Sequence, residues 1–496
     1  MLSLKHINIK SFNENIAYIN KNCLEYAIDD ISSLSQVEIQ THTSKIYAFL
    51  QVVDDEDFVS STSLGLNDEA YADLGEAEGT PVSISLAAPA PSRAALRRKI
   101  AGNILSPQDY KFIIKDITNH RYSNMDIASF IVAGGTFISA NEVLGLTDAL
   151  VNNTKIEWDR ESIVVDHHCL GGIPGNKTDI IIAAIVGAYG LAIPKTVAKA
   201  TTSCASVADT MGVLCNLNLS QERFIELAES NRAVIANYEP LNIADAVKSI
   251  SNVERHLGLT QQEFLLTSVL AIKIAAGVTH LLIDIPVGEN SRIKSIYEAI
   301  RLRKLAEFVG DKLGVDIEVV ITDGREPIGN GIGAVLEARD VLQVLKNKPN
   351  APQDLLEKSL FLAGRLLEAD PKLRGGKGYQ TAEEILRSGR ALEKLNDIIK
   401  AQGTKEQPTL GTYSRDILAP ESGEITAIDN VQINRIGIWA GARQFSGAGI
   451  DLFKKIGDTV NAGEVLYRVY ACSADDLELA ESVIENSNAY TIKNGI

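Results

Sequence analysis

Hydrophobic and polar positions change their period several times along the chain. Residues 1 to about 85 alternate in short runs such as "VEIQTHTSKIYAFLQVV", the two-residue period of half-buried strands. An acidic, turn-rich stretch, "LGEAEGTPVSISLAAPAPS", follows, which predicts a β-rich N-terminal extension over 1–88 and a linker ending near Pro91. From "SRAALRRKIAG" the period becomes helical, and "SPQDYKFIIKDI", "SNMDIASFIVAGG" and "SANEVLGLTDALV" each open on a serine suited to cap a helix.

Farther along, the strand-like runs "SIVVD", "ANYEPLNI", "HLLIDIPVG" and "IEVVITDG" alternate with helical patterns over 176–190, 261–276, 291–314 and 332–346. That alternation predicts an α/β domain with a mixed or parallel sheet. Residues 353–402 are helical again, with Thr381 as N-cap, Glu384 three residues later and Gly403 as terminator. After "EQPTLGTYS" the pattern turns to strands and turns, which predicts a C-terminal α+β domain over 405–496.

At 496 residues the chain exceeds one hydrophobic core, so two to four domains are expected. With 45% apolar and 23% charged residues it has the composition of a folded, soluble protein. A net charge of −16 disfavours nucleic acid and anionic membranes as partners and requires any anion site to be local. The longest uncharged apolar stretch is the 15 residues from Ile180 to Pro194, short of the roughly 20 that span a bilayer. With no h-region or cleavage site near the N-terminus, the expectation is a cytoplasmic protein. Five scattered cysteines without a C-x-x-C pair read as reduced thiols.

Chemistry concentrates in "SIVVDHHCLGGIPGNKTDIII". Here a strand is expected to end at Asp166, a loop with Gly171, Gly172 and Gly175 to follow, and a helix to begin near Asn176. Backbone N–H groups of such a loop and helix start favour a phosphate, although the spacing is neither a Walker A loop nor G-x-G-x-x-G. A glycine turn needed only for geometry is the competing reading. His167, His168 and Cys169 are adjacent, and neighbours on an extended chain face opposite sides, so a metal site would need ligands from elsewhere. A histidine acting as general acid or hydrogen-bond donor fits better. A second segment, "IPKTVAKATTSCASVADTMGVL", is dense in small and hydroxyl residues after a strand, with Ser206 placed to cap a helix around Asp209. In "LTQQEFLLTSVLAIKIAAG" Ser268 lies in mid-helix, where filler and ligand contact are both open.

Taken in order, and with "IIKDITNHRYSNMDIASFIVAGG", "EWDRESIVVD", "GGIPGNKT", "ADTM", "ITDG", "GIGAVLEARDVL" and "GAGIDLFKKIGDTVNAGEVLY", these segments resemble the thymidine and pyrimidine-nucleoside phosphorylase family over about residues 90–480. The resemblance is strongest to its long-chain branch, which includes AMP phosphorylases. It implies an α/β multidomain fold: a small discontinuous helical domain (92–155 and 245–276), a large α/β phosphate-binding domain with a mixed sheet (160–244 and 277–402), the N-terminal extension and the C-terminal domain. It also implies a homodimer, phosphate and a nucleoside or nucleotide as substrates, and no metal or organic cofactor. The implied reaction is reversible phosphorolysis of a pyrimidine nucleoside, thymidine first; phosphorolysis of a nucleoside monophosphate, or nucleotide binding without turnover, are the alternatives.

Carried over position by position, His168 matches the histidine that donates to the base. Gly172, Lys199, Thr202, Ser203, Ser268 and Arg292 match substrate-binding positions. The phosphate loop comprises His167, Cys169, Gly171, Gly175, Asn176, Lys177 and Thr178. In that loop His167 replaces a lysine and Cys169 a serine; a neutral imidazole supplies less charge than an ammonium, and a thiol is a weak donor. Val197, Ala198 and Val207 replace hydroxyl residues, Ile272 replaces a lysine, and Thr260 stands where AMP phosphorylases have an acid. Each lost hydrogen bond to a charged group is worth roughly 1.5–3 kcal/mol.

Overall fold

The computed structural model describes residues 1–11, 14–23, 25–26, 35–151, 154–158, 163–200, 203–258, 261–406 and 408–493. The chain divides into two compact units: Met1–Asn152 with Ala244–Ser268, and Asn153–Ile243 with Val269–Ile496.

In the first unit the alternating N-terminal runs become strands β1 (Leu2–His6), β2 (Ile16–Asn20), β3 (Gln36–Gln40), β4 (Lys45–Val53), β5 (Ser63–Leu66) and β6 (Pro81–Leu86), with helix α1 (Asp68–Leu74) before the last. They close into a barrel in the order β1-β5-β2-β4-β3-β6. The pairs β1–β5 and β2–β4 are parallel, whereas β1–β6, β2–β5, β3–β4 and β3–β6 are antiparallel. Inward positions such as Leu4, Ile19, Ile39, Leu50 and Leu64 are buried inside the barrel.

Helices α2 (Arg93–Ile100), α3 (Pro107–Thr118), α4 (Asn124–Thr136) and α5 (Ala140–Val151) follow, joined in the same unit by α9 (Asp245–Leu257) and the first half of α10 (Gln262–Ala275). The three serines act as the sequence predicts. Ser106 and Ser123 form capping boxes with Asp109 and Asp126, and Ser139 Oγ accepts from the Glu142 N–H.

The second unit contains β7 (Val165–Cys169), α6 (Thr178–Tyr189), β8 (Ile193–Val197), α7 (Val207–Gly212), α8 (Gln221–Asn231), β9 (Ala233–Asn237), β10 (His280–Val287), α11 (Ile296–Leu313), β11 (Asp316–Asp323), β12 (Gly331–Ile332) and α12 (Ala334–Leu345). Strands β11-β10-β7 form one parallel sheet and β8-β9 another, linked by a parallel bridge between Val164 and Ala192. Beyond Thr178 and Asp179 in its first turn, helix α6 is apolar on every side as far as Gly187, and it is buried from Thr178 to Gly187, as expected of a helix at the centre of a core. It packs under α13 (Gln353–Leu367), α14 (Lys377–Arg387) and α15 (Arg390–Gln402).

The capping expectation at Thr381 is corrected here. Helix α14 already starts at Lys377 after Gly375 and Gly376, both in the left-handed region, and Thr381 sits inside it with its hydroxyl donating to the Lys377 carbonyl. Gly403 does terminate α15.

The last part is antiparallel. Strands β13 (Tyr413–Leu418), β15 (Gly449–Leu452) and β17 (Val465–Ala471) join β12, while β14 (Gly423–Ile428), β16 (Thr459–Val460) and β18 (Tyr490–Lys493) form a second sheet. Helices α16 (Asn430–Trp439) and α17 (Ala474–Glu485) pack on each other, and the group has its own apolar cluster. The α/β multidomain class is therefore what the pattern predicts. Among the described residues no helix is long and apolar enough to cross a membrane.

Candidate functional site

Strand β7 runs three residues beyond Asp166, to Cys169, because its pairing with β10 continues from His280–Val165 to Asp284–Cys169. The two histidines and the cysteine therefore stand on a strand and not in a loop. A strand can carry these polar residues because their environment answers each of them. Asp166 and His167 are fully buried, whereas His168 and Cys169 are partly exposed.

Asp166 is the centre of a buried ion network. Its Oδ2 lies 2.5 Å from Lys273 Nζ on α10, and its Oδ1 lies 3.4 Å from Lys195 Nζ on β8. Lys273 spends its other two protons on the Thr196 carbonyl at 2.8 Å and the Thr196 hydroxyl at 3.0 Å. Lys195 pairs with Asp179 at 2.6 Å and donates to the His167 carbonyl. Asp179 also lies 2.6 Å from His167 Nδ1. Two carboxylates thus meet two ammonium groups in a buried pocket, an arrangement that is costly unless every member is paired.

These neighbours set the ionisation states. Burial, then the positive charges of Lys273 and Lys195, hold the His168 imidazole well below its ordinary range, so it is neutral at pH 7. Burial also pushes Lys273 down to about 8, against the opposing pull of Asp166. Although burial works against its charge, Lys195 is held above the usual lysine range by Asp166 and Asp179. Burial and then the Asp284 carboxylate push the Cys169 thiol up. Asp284 itself is buried in a second pairing, 2.8 Å from Lys358 Nζ and 2.5 Å from the Thr322 hydroxyl.

The loop after β7 carries Gly171, Gly172 and Gly175 at φ +79°, +90° and +72°. Arg292 seals it, donating from a guanidinium nitrogen to the Leu170 carbonyl at 3.1 Å. A Cβ on Gly172 would lie 2.3 Å from the Arg292 backbone nitrogen, and one on Gly175 would lie 2.6 Å from the Ile328 carbonyl oxygen. Packing alone therefore demands glycine at these two places.

The helix starts at Thr178, two residues after the predicted Asn176. Asn176 accepts from the Thr178 hydroxyl at 2.9 Å, and Thr178 is buried. Lys177 is wholly buried, donating to the Gly331 carbonyl at 2.6 Å, with Asp340 3.5 Å away. Its ammonium is engaged inside the protein.

Of the remaining positions, Lys199 is exposed, while Ser203 is partly buried and donates to the Ala205 carbonyl at 3.0 Å. Ser206 caps α7 with Asp209, as expected. Ser268 lies in the middle of α10 and is partly buried. Val197 is buried, Ala198 exposed, and Val207 and Ile272 partly buried. Thr202 and Thr260 lie outside the described residues.

Sequence reasoning passed over Asp179, Lys195 and Lys273 as chemistry. Their signal was a single charge inside an apolar run: Asp179 before "IIIAAIVGAYG", Lys195 in "LAIPKTV" and Lys273 in "SVLAIKIAAG". Among the described residues no group of three or more His, Cys, Asp and Glu side chains is arranged to hold a metal ion.

The chain is similar to known proteins. Residues 93–154 match the helical bundle domain of a glycosyl transferase family, and residues 424–492 match the pyrimidine nucleoside phosphorylase C-terminal domain. A protein of Albidiferax ferrireducens described as "Putative thymidine phosphorylase" is 44% identical over 99% of this chain and 95% of its own length. A protein of Rhodopseudomonas palustris with the same description is 44% identical over 99% of this chain and 96% of its own. Among solved structures, anthranilate phosphoribosyltransferase from Thermus thermophilus superposes with a TM-score of 0.50 at 18% identity, covering 62% of this chain and 99% of that one. That likeness extends to the fold alone. From the full-length identity, the two matched domains and the glycine loop after β7, the chain belongs to the thymidine and pyrimidine-nucleoside phosphorylase family.

Proposed function

We propose that the protein is a pentosyltransferase that catalyses reversible phosphorolysis of a pyrimidine nucleoside, converting thymidine and phosphate to thymine and 2-deoxyribose 1-phosphate. A phosphate oxygen attacks the anomeric carbon as the glycosidic bond breaks, and the electron pair of that bond leaves with the base. The observation that carries this reading is His168 at the end of β7, held neutral over the Asp166–Lys195–Lys273 network. A neutral imidazole donates one N–H hydrogen bond to a base carbonyl oxygen on which negative charge grows, without first needing a proton from solvent. Gly171, Gly172 and Arg292 shape the neighbouring loop. Lys199, Thr202, Ser203 and Ser268 are the further substrate contacts in this reading. It calls for no cofactor, and for a cytoplasmic homodimer.

The test is direct. The full chain is incubated with phosphate and thymidine, uridine, AMP, CMP or UMP, and free base is followed by chromatography. Thymine formed together with 2-deoxyribose 1-phosphate is the expected result. Absence of free base from every member of the panel refutes it.

A further inference from the structure

The loop and helix start that follow β7 form a place where an incoming anion is expected, and an anion is already there. Asp179, the second residue of α6, directs Oδ1 to within 2.6 Å of both His167 Nδ1 and Lys195 Nζ. Its side chain is nine-tenths buried. The charges in this pocket cancel: Asp166 and Asp179 against Lys195 and Lys273. The nearby Asp284–Lys358 pair is balanced as well, and Lys177 is matched by Asp340. No surplus positive charge is left among these groups for a phosphate dianion, and adding an unmatched charge to a buried, neutral network is strongly unfavourable.

One group in the pocket nevertheless lacks a protein partner. His167 Nε2 is buried without a hydrogen bond, while Nδ1 of the same ring is taken by Asp179. A phosphate hydroxyl donating to Nε2 would complete the neutral ring, but its anion would sit in the field of the carboxylate on the other side.

We infer that Asp179 is a built-in counter-anion for His167 and Lys195 that competes with phosphate, and so sets the phosphate affinity of the site. This inference rests on the phosphorolysis reading for its kinetic consequence, but not for its binding consequence. Asp179→Asn keeps an oxygen for His167 and removes the charge; Asp179→Ala removes both. The wild type is expected to bind inorganic phosphate weakly, and Asp179→Asn to lower KM for phosphate about tenfold or more, since the charge removed lies close to the ligand in a low-dielectric pocket. KM for the nucleoside stays unchanged. Melting temperatures with increasing inorganic phosphate should rise more steeply in the variant than in the wild type.

A phosphate KM that is unchanged or raised in Asp179→Asn, with base still released, overturns the inference and leaves phosphorolysis standing. If neither protein releases base, phosphorolysis fails, and the melting series decides the inference alone: a larger phosphate shift in the variant supports it, and equal shifts overturn it. Should both variants fail to fold, calorimetric titration of the wild type still decides. Binding tighter than about 0.1 mM overturns the idea of a competing internal anion, whereas weaker or undetectable binding supports it.

Discussion

Lys273→Met isolates the energetics of the buried network. The ammonium of Lys273 is 2% exposed and uses all three of its protons, on Asp166 Oδ2, the Thr196 carbonyl and the Thr196 hydroxyl. Methionine nearly preserves the volume but leaves Asp166 with only the backbone N–H of His167 at 2.7 Å and the distant ammonium of Lys195 at 3.4 Å. Removing one partner of a buried pair costs about 3–5 kcal/mol, most of it from the stranded charge. Because the chain folds as more than one unit, a single global free energy does not describe it. The assay is therefore denaturant unfolding combined with hydrogen exchange at the β7 amides. Lys273→Met should lose protection equivalent to about 3–5 kcal/mol there. The double variant Asp166→Asn with Lys273→Met, which removes both charges, should regain more than half of it. A single variant within about 1 kcal/mol of the wild type, or a double variant no better than the single, would refute the view of Lys273 as the charge that makes Asp166 tolerable in the core.

Other outcomes follow from the same geometry. Gly172→Ala places a methyl 2.3 Å from the Arg292 nitrogen and should move the loop by about 1 Å, with a loss of kcat/KM on the order of 100-fold; Gly171→Ala, whose added carbon meets nothing closer than 3.8 Å, should lose far less. In a pH series of kcat/KM, His168 is already neutral well below its ordinary pKa, so no acid limb appears near pH 6.5; the rate falls above about pH 8 as Lys273 gives up its proton. An acid limb centred near 6.5 would show that His168 is protonated in the folded protein. Thiol titration of the native protein should find one rapidly reacting group, Cys472, the exposed cysteine; the partly exposed Cys169 should react slowly because its thiol is held protonated, and the buried Cys23, Cys204 and Cys215 only on unfolding.

The sequence pattern anticipated the elements better than their ends, and the reasons are local. Serine caps at 106, 123 and 139 were readable because the cap and its acceptor lie within three residues of each other. The end of β7 was not, since "DHHC" has a loop's polarity, and it is the pairing with β10, with side-chain partners from β8, α6 and α10, that makes it a strand. Thr381 offered a sound capping motif, but Gly376 in the left-handed region had already begun the helix a turn earlier. Lys177 read as a phosphate contact because its partners, Gly331 and Asp340, lie more than 150 residues away. The family resemblance pointed to residues 167–178 as the phosphate loop, with further contacts from Lys199 to Arg292, but not to Asp179, whose meaning depends on Lys195 arriving from the next strand.

The order of strands in the N-terminal barrel also bears on how the chain is made. Strand β1 is held between β5 and β6, so its second partner is made only when the chain has been extended past Pro81. Until then Leu2 and Leu4 are bare apolar side chains on a nascent chain, and long-range pairing of this kind closes slowly. Closure is all or nothing: once β6 docks, no strand edge remains open for another chain to extend. The interval between the emergence of β1 and the docking of β6 is therefore when this protein is most exposed to aggregation and to chaperone capture.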